Sequence, residues 1–221
     1  MKFPRLPVLL AFVAALALPV SQSAREPANL DTAKAEIYRY VNSGEYAKDL
    51  GEVALKATKY LAKRLNKPAK PDEKLALVLD IDETALTNLP HMMANDFGYV
   101  SAVWHRYVMS AQAKAIVPVQ VAYDIAARGG VAVFFITARR ESERAGTERN
   151  LRQVGYDTWN GIFYKADDSE ESAQRFKTRI RKQLTDEGYT IIVNIGDQDS
   201  DLAGGYSKKN FKLPNPIYRV R

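Results

Sequence analysis

Two carboxylates one residue apart close an apolar run. Residues 75–79 read Leu-Ala-Leu-Val-Leu, and Asp80-Ile81-Asp82-Glu83-Thr84 follows directly. A run of that composition reads as a strand buried on both faces. A strand interior has no use for paired carboxylates. At the C-terminal end of a strand in an open α/β sheet, however, they stand where ligands bind. Like charges held this close repel, so a cation between them is expected. The competing reading is a strand followed by a plain acidic turn. Three further segments weigh against it. Thr137 closes the apolar residues 131–136 and precedes Ala138-Arg139. Gly196-Asp197-Gln198-Asp199-Ser200-Asp201 follows the apolar residues 191–195. A lysine adds positive charge: Lys177 in the helix after the third strand, with Lys165, directly behind that strand, as the alternative. Thr137 also has a structural reading, as a turn hydroxyl or cap ahead of a helix beginning near Glu141. Arg139 could reach a bound anion or pair with Glu143 four residues on, and it is left out of the core site.

The elements that must position these residues alternate. Strands are expected at 75–80, 131–137, 161–164 and 190–195, and helices at 119–128 (Pro118 at its start), 141–154 and 170–187. Strands separated by helices argue for parallel pairing with helical crossovers. The fold class is therefore α/β, a three-layer sandwich around a mainly parallel sheet. A helical extension precedes it. One helix spans 31–42 with Asp31 as N-cap. Gly44 interrupts, and a second helix spans 45–66 with Val53, Ala57, Tyr60, Leu61 and Leu65 on one face. Lys67-Pro68 to Lys70-Pro71 ends it. Between about 85 and 117 no clean strand is legible. This insertion, placed directly after the reactive strand end, reads as a small cap. It carries His91, Phe97, Tyr99, Trp104, His105 and Tyr107 among other large side chains. Such residues suit either a satellite core or a substrate pocket. Tyr99 and Trp104 are the candidates for stacking on a substrate, and His91 and His105 are expected to be structural.

The first residues differ in character. Lys2 and Arg5 precede an almost wholly apolar stretch, 8–20, and then Ser21, Gln22, Ser23 and Ala24. That is the order of a secretory signal peptide. Residues 1–24 are expected to be removed near Ser23 or Ala24, leaving 25–221 as one domain. The apolar stretch is short for a membrane span, which speaks against an uncleaved anchor. No cysteine is present to form a disulfide or carry a lipid. The expectation is an exported protein, periplasmic or secreted, with no stable membrane anchor. The formal net charge is +6, and loss of Lys2 and Arg5 lowers it by two, to +4. Basic residues are spread without a dense block, so a nucleic acid polymer is not the expected partner. A mild positive field suits a small anionic substrate. Nothing in the composition speaks to oligomeric state.

The four segments, in this order and with Lys212-Leu213-Pro214-Asn215-Pro216 and Tyr218 near the end, resemble the haloacid dehalogenase (HAD) superfamily. Within it they are similar to the acid phosphatase branch, subfamily IIIB, which includes exported bacterial acid phosphatases and plant vegetative storage proteins. The resemblance runs from about Asp31 to the C-terminus and implies a Rossmann-like core. It implies that Asp80 is the nucleophile of an aspartyl-phosphate pathway and that Asp82 serves as general acid and then general base. It implies a Mg²⁺ site made by the side chains of Asp80 and Asp197 with the backbone carbonyl of Asp82, Asp201 standing behind it as a weak or indirect ligand. Thr137 would hydrogen-bond a phosphate oxygen and the lysine would neutralise another. Lys177, with Arg181 downstream, matches the branch's lysine-bearing helix better than Lys165 does. The implied substrate is a small phosphomonoester, nucleoside monophosphates included. Two rival readings are phosphotransfer to an alcohol on the same site, and a non-catalytic storage or binding protein. Retention of Asp80 argues against the second.

Overall fold

The computed structural model describes residues 27–67 and 72–220. The expected signal peptide and most of the Lys-Pro linker lie outside the described residues. Helices α1 (Leu30–Asn42) and α2 (Glu45–Leu65) lead into β1 (Lys74–Leu79). The insertion follows: β2 (Leu86–Thr87), α3 (Leu89–Ala94), α4 (Ser101–Ser110) and β3 (Lys114–Ala115). Then come α5 (Val117–Arg128), β4 (Ala132–Arg140), a short 3₁₀ turn (Glu141–Glu143), α6 (Arg144–Gln153) and β5 (Gly161–Lys165). The chain ends with α7 (Ala173–Asp186), β6 (Tyr189–Gly196), α8 (Asp199–Leu202) and β7 (Asn210–Lys212).

The main sheet has the order β5-β4-β1-β6-β7, and every pairing is parallel. Alternation along β1 explains the three layers. Leu77 and Leu79 face a cluster that includes Leu50, Ala57 and Leu61 of α2 and Val119, Ala122 and Ala126 of α5. Ala76 and Val78 face the other way, onto Phe176, Ile180 and Leu184 of α7. A strand buried on both faces can only lie between two helical layers. The apolar run at 75–79 is the sequence signature of that position.

The expected elements are present, and their edges moved for local reasons. Asn29, not Asp31, caps α1: its side chain accepts hydrogen bonds from the Asp31 and Thr32 amides. Asp31 sits in the first turn, where an acidic side chain also suits the helix dipole. The helix expected from 141 opens as a 3₁₀ turn because Glu143 folds back to accept the Arg140 amide. Ser172 caps α7 and delays its start beyond residue 170. β4 runs on to Arg140, so Thr137 lies inside the strand and not at its end. Three strands were not legible. β7 is a three-residue edge with only Phe211 buried. β2 and β3 pair over two residues each, Leu86 with Ala115 and Thr87 with Lys114, and tie the two ends of the insertion together. Elements that short carry no periodicity. Among the described residues, no helix is long and apolar enough to cross a membrane.

Candidate active site

The strand order places β1 between β4 and β6, so the segments after these three strands meet at one end of the sheet. The Asp80 amide bonds the carbonyl of Ile195, which fixes the end of β1 against β6. Asp80, Asp197 and Asp201 each bring a carboxylate oxygen within 4.8 Å of the others, and all three side chains are buried. From α7, Lys177 donates to Asp80 Oδ1 at 2.5 Å and to Asp201 Oδ1 at 2.6 Å.

Electrostatics in this cluster is unbalanced. Burial pushes Asp80 well above the usual carboxylate range; Lys177 opposes that shift, and Asp201 and Asp197 add to it. Asp197 is raised to about 6 by burial and by Asp201, against hydrogen bonds from Asn215 and Gln198. Burial alone would lower Lys177, but Asp201 and Asp80 more than reverse this and hold it above its ordinary value. One ammonium, bonded to two of three crowded carboxylates, leaves negative charge uncompensated. A set of oxygen donors with excess negative charge is what a hard divalent cation requires. The residues present therefore fit such an ion.

Each carboxylate is held by identifiable partners. Asp197 Oδ2 accepts from Gln198 Nε2 (2.5 Å) and Asn215 Nδ2 (2.7 Å), and its carbonyl accepts from Lys212 Nζ (2.5 Å). The Lys-Leu-Pro-Asn-Pro segment thus serves as a brace for Asp197. Asp201 Oδ2 accepts the Gln198 amide, and Asp201's carbonyl accepts from Arg181 Nη1 and Asn194 Nδ2. Arg181 is fully buried. Gly196 is needed where Asp201 folds back, since a Cβ there would lie 2.4 Å from Asp201 Cβ.

Asp82 stands apart from the three clustered carboxylates. Arg139 grips it as a fork, with Nη2 2.7 Å from Oδ1 and Nε 3.1 and 3.2 Å from the two oxygens, and Asn88 Nδ2 donates at 2.8 Å. Arg139 is itself buried, donates to Thr147 Oγ1 at 2.9 Å and lies 5.7 Å from the centre of the Trp104 ring. Of the partners open to it from sequence, Glu143 does not engage the fork, which is taken by Asp82.

Thr137 is fully buried and does not line the cavity. Its Oγ1 accepts the Arg139 amide at 3.1 Å, which leaves its own proton to donate. Lys165 lies elsewhere, on the carbonyl of Glu171. Tyr99 and Trp104 both line the cavity above the carboxylates, with their rings 6.3 Å apart. His91 stacks on Tyr107 at 3.9 Å, and His105 Nδ1 stands 4.0 Å from Glu143.

Sequence reasoning missed Arg139 as Asp82's partner, and it missed Glu83. Glu83 is fully buried with φ 50°, and accepts from the Asn88 amide (2.5 Å), Asn88 Nδ2 (3.0 Å) and the Tyr218 hydroxyl (3.1 Å). Burial, then the neighbouring Asp82, pushes it up to about 8. Glu83 beside the Asp-x-Asp pair was the only available signal, and an acidic turn hides it.

The cavity over this cluster measures about 1010 Å³. A second hollow of about 650 Å³ lies at the opposite, N-terminal end of the strands, lined by residues such as Lys74, Val131, Asn160 and Tyr189. The chemistry-bearing residues gather at the first and not at the second.

A parallel α/β sheet with carboxylates from two strand ends and a buried lysine on the covering helix defines a hydrolase of the HAD type. The family described as HAD superfamily, subfamily IIIB (Acid phosphatase) matches residues 9–221, and the chain belongs to it. A stem 28 kDa glycoprotein of Glycine max is 31% identical over 82% of this chain and 72% of its own length. Acid phosphatase 1 of Solanum lycopersicum is 32% identical over 80% of this chain and 65% of its own length. Among solved structures, the class C acid phosphatase from Bacillus anthracis superposes with a TM-score of 0.70 at 23% identity, covering 86% of each chain. That likeness shows the shared fold. The chain is accordingly a phosphomonoesterase of the acid phosphatase class.

Proposed function

We propose that the protein is an exported, Mg²⁺-dependent acid phosphatase that hydrolyses small phosphomonoesters, nucleoside monophosphates among them, through a phosphorylated Asp80. The observation that carries this reading is the contact between Lys177 and Asp80 inside the three-carboxylate cluster. The lysine fixes one carboxylate oxygen and offers an ammonium to the incoming phosphate. An Asp80 oxygen attacks phosphorus, and the ester C–O–P linkage breaks on the phosphorus side. Asp82, at the cavity edge under the aromatic wall, gives a proton to the departing alkoxide. Asp82 then takes a proton from water as that water attacks the Asp80 phosphate. Phosphate leaves, and both aspartates return to their starting state. Thr137 supplies a hydroxyl donor behind the phosphate, and Tyr99 and Trp104 present apolar surface to the leaving group.

Asp80 and Asp197, with the carbonyl of Asp82 and with Asp201 close by, would hold the cation. When bound, the ion offsets the mutual repulsion of carboxylates and phosphate. Mg²⁺ is preferred because it takes few protein carboxylates and keeps waters. Export follows from the leader-like first residues, and an intact mass of the exported chain that begins near residue 24 would support it.

The test is hydrolysis of a chromogenic aryl phosphate by the purified protein. Turnover with Mg²⁺, its loss on chelation and its loss in Asp80→Asn support the reading. Parent-level turnover in Asp80→Asn removes the phosphorylated aspartate. Tight phosphate binding without turnover favours a binding protein.

A further inference from the structure

Residues 95–100 join α3 to α4, and they hold an unusual backbone. Asp96 and Phe97 both lie in the left-handed region, with φ 52° and 61°. Two consecutive side-chain-bearing residues in that region are strained and persist only where surroundings hold them. Local bonds hold the main chain: Phe97 N–H to the Met92 carbonyl and Gly98 N–H to the Asn95 carbonyl, both 2.8 Å. They do not hold the Phe97 ring, which lines the catalytic cavity.

The ring is held from α1. Tyr38 meets Phe97 edge-on, with centroids 5.4 Å apart and planes at 62°. The Tyr38 hydroxyl donates to the Met93 carbonyl at 3.4 Å. Four residues earlier on the same helix face, Lys34 Nζ reaches Asp96 Oδ2 at 2.5 Å. Helix α1 buries no residue of its own. Three of its side-chain contacts go to residues 93–97, although it lies far in sequence from every strand of the sheet.

We infer that Tyr38 is a positioning residue for the substrate pocket: by holding the Phe97 ring in the cavity wall, it sets how tightly the leaving group of the ester is bound. The inference rests on the phosphomonoesterase reading above. Tyr38 touches neither the carboxylate cluster nor Lys177, so its loss leaves the reacting groups in place. An apolar or aromatic leaving group senses the wall, and a bare phosphate does not.

The experiment uses the whole protein with Tyr38→Ala and Tyr38→Phe. It compares an aryl phosphate, glycerol phosphate and inhibition by inorganic phosphate. Tyr38→Ala is expected to raise KM for the aryl ester about three- to tenfold, the size of one aromatic pair. Its kcat and the phosphate inhibition constant should stay at the parent value. Tyr38→Phe, which keeps the ring, should restore the parent KM. An unchanged aryl KM in Tyr38→Ala overturns the inference. So does a parallel loss for both esters and for phosphate, which marks a general loss of structure. A parent protein that hydrolyses neither ester fails on the underlying reading, and that is read before any variant is compared.

Discussion

Lys177 separates two readings that the sequence left open. Its ammonium bonds Asp80 and Asp201, whereas Lys165 bonds a backbone carbonyl at the edge of the sheet. Lys177→Ala is therefore expected to lower kcat by about 10²- to 10³-fold, the usual loss for one donor to a developing oxyanion. Lys165→Ala should stay near the parent rate. The reverse order in steady-state assays would move the phosphate site away from Asp80. Arg139 makes a different kind of demand. A guanidinium presents a planar fork, and Arg139 uses it on both oxygens of Asp82. Lysine keeps the charge and loses the fork. If Arg139 aims Asp82 at the leaving group, Arg139→Lys should slow an alkyl phosphate about tenfold or more beyond its effect on a nitrophenyl phosphate, whose phenolate leaves without a proton. Equal losses on both esters would show that Arg139 serves packing alone.

At the scale of elements, legibility followed length and chemistry together. β1, β4 and β6 were readable because each carries an apolar run followed closely by polar residues, and the parallel order then brings those ends together. Lys177 was readable only through resemblance, since a helical lysine is ordinarily solvated. What could not be read were contacts between distant segments. Nothing in the spacing of Arg139 and Asp82, 57 residues apart, announces a fork. Tyr218 and Glu83 lie 135 residues apart, yet the C-terminal segment closes over the end of β1 through that bond. Asn215 and Lys212 belong to a motif that was recognisable as a pattern, and its purpose, bracing Asp197, appears only in three dimensions. Short pieces such as β7 are decided by the sheet they join and not by their own composition.

For the whole molecule, buried acids make stability depend on pH and on the cation in a predictable sense. Glu83 is raised to about 8, Asp197 to about 6 and Asp80 well above its usual range, in each case chiefly by burial. An acid whose folded pKa exceeds its unfolded value binds its proton more tightly when folded. Its favourable contribution is complete below the unfolded pKa and fades as pH rises through the folded one. The window opens near the ordinary carboxylate range and extends to about 8, the value for Glu83. Exposed Asp167 and half-buried Glu171, both lowered by hydrogen-bond partners, work in the opposite direction only at more acid pH. His91, lowered by burial, opposes weakly within the window. The cation-free protein should therefore melt at a higher temperature near pH 5 than near pH 8. Mg²⁺ competes with protons for Asp80 and Asp197, so the rise in melting temperature on adding it should be larger at pH 8 than at pH 5. Thermal scans with chelator and with excess Mg²⁺ at both pH values measure the four quantities. A cation effect equal at both pH values, or a cation-free protein that is more stable at pH 8, would mean that the clustered carboxylates neither hold protons nor exchange them for the ion.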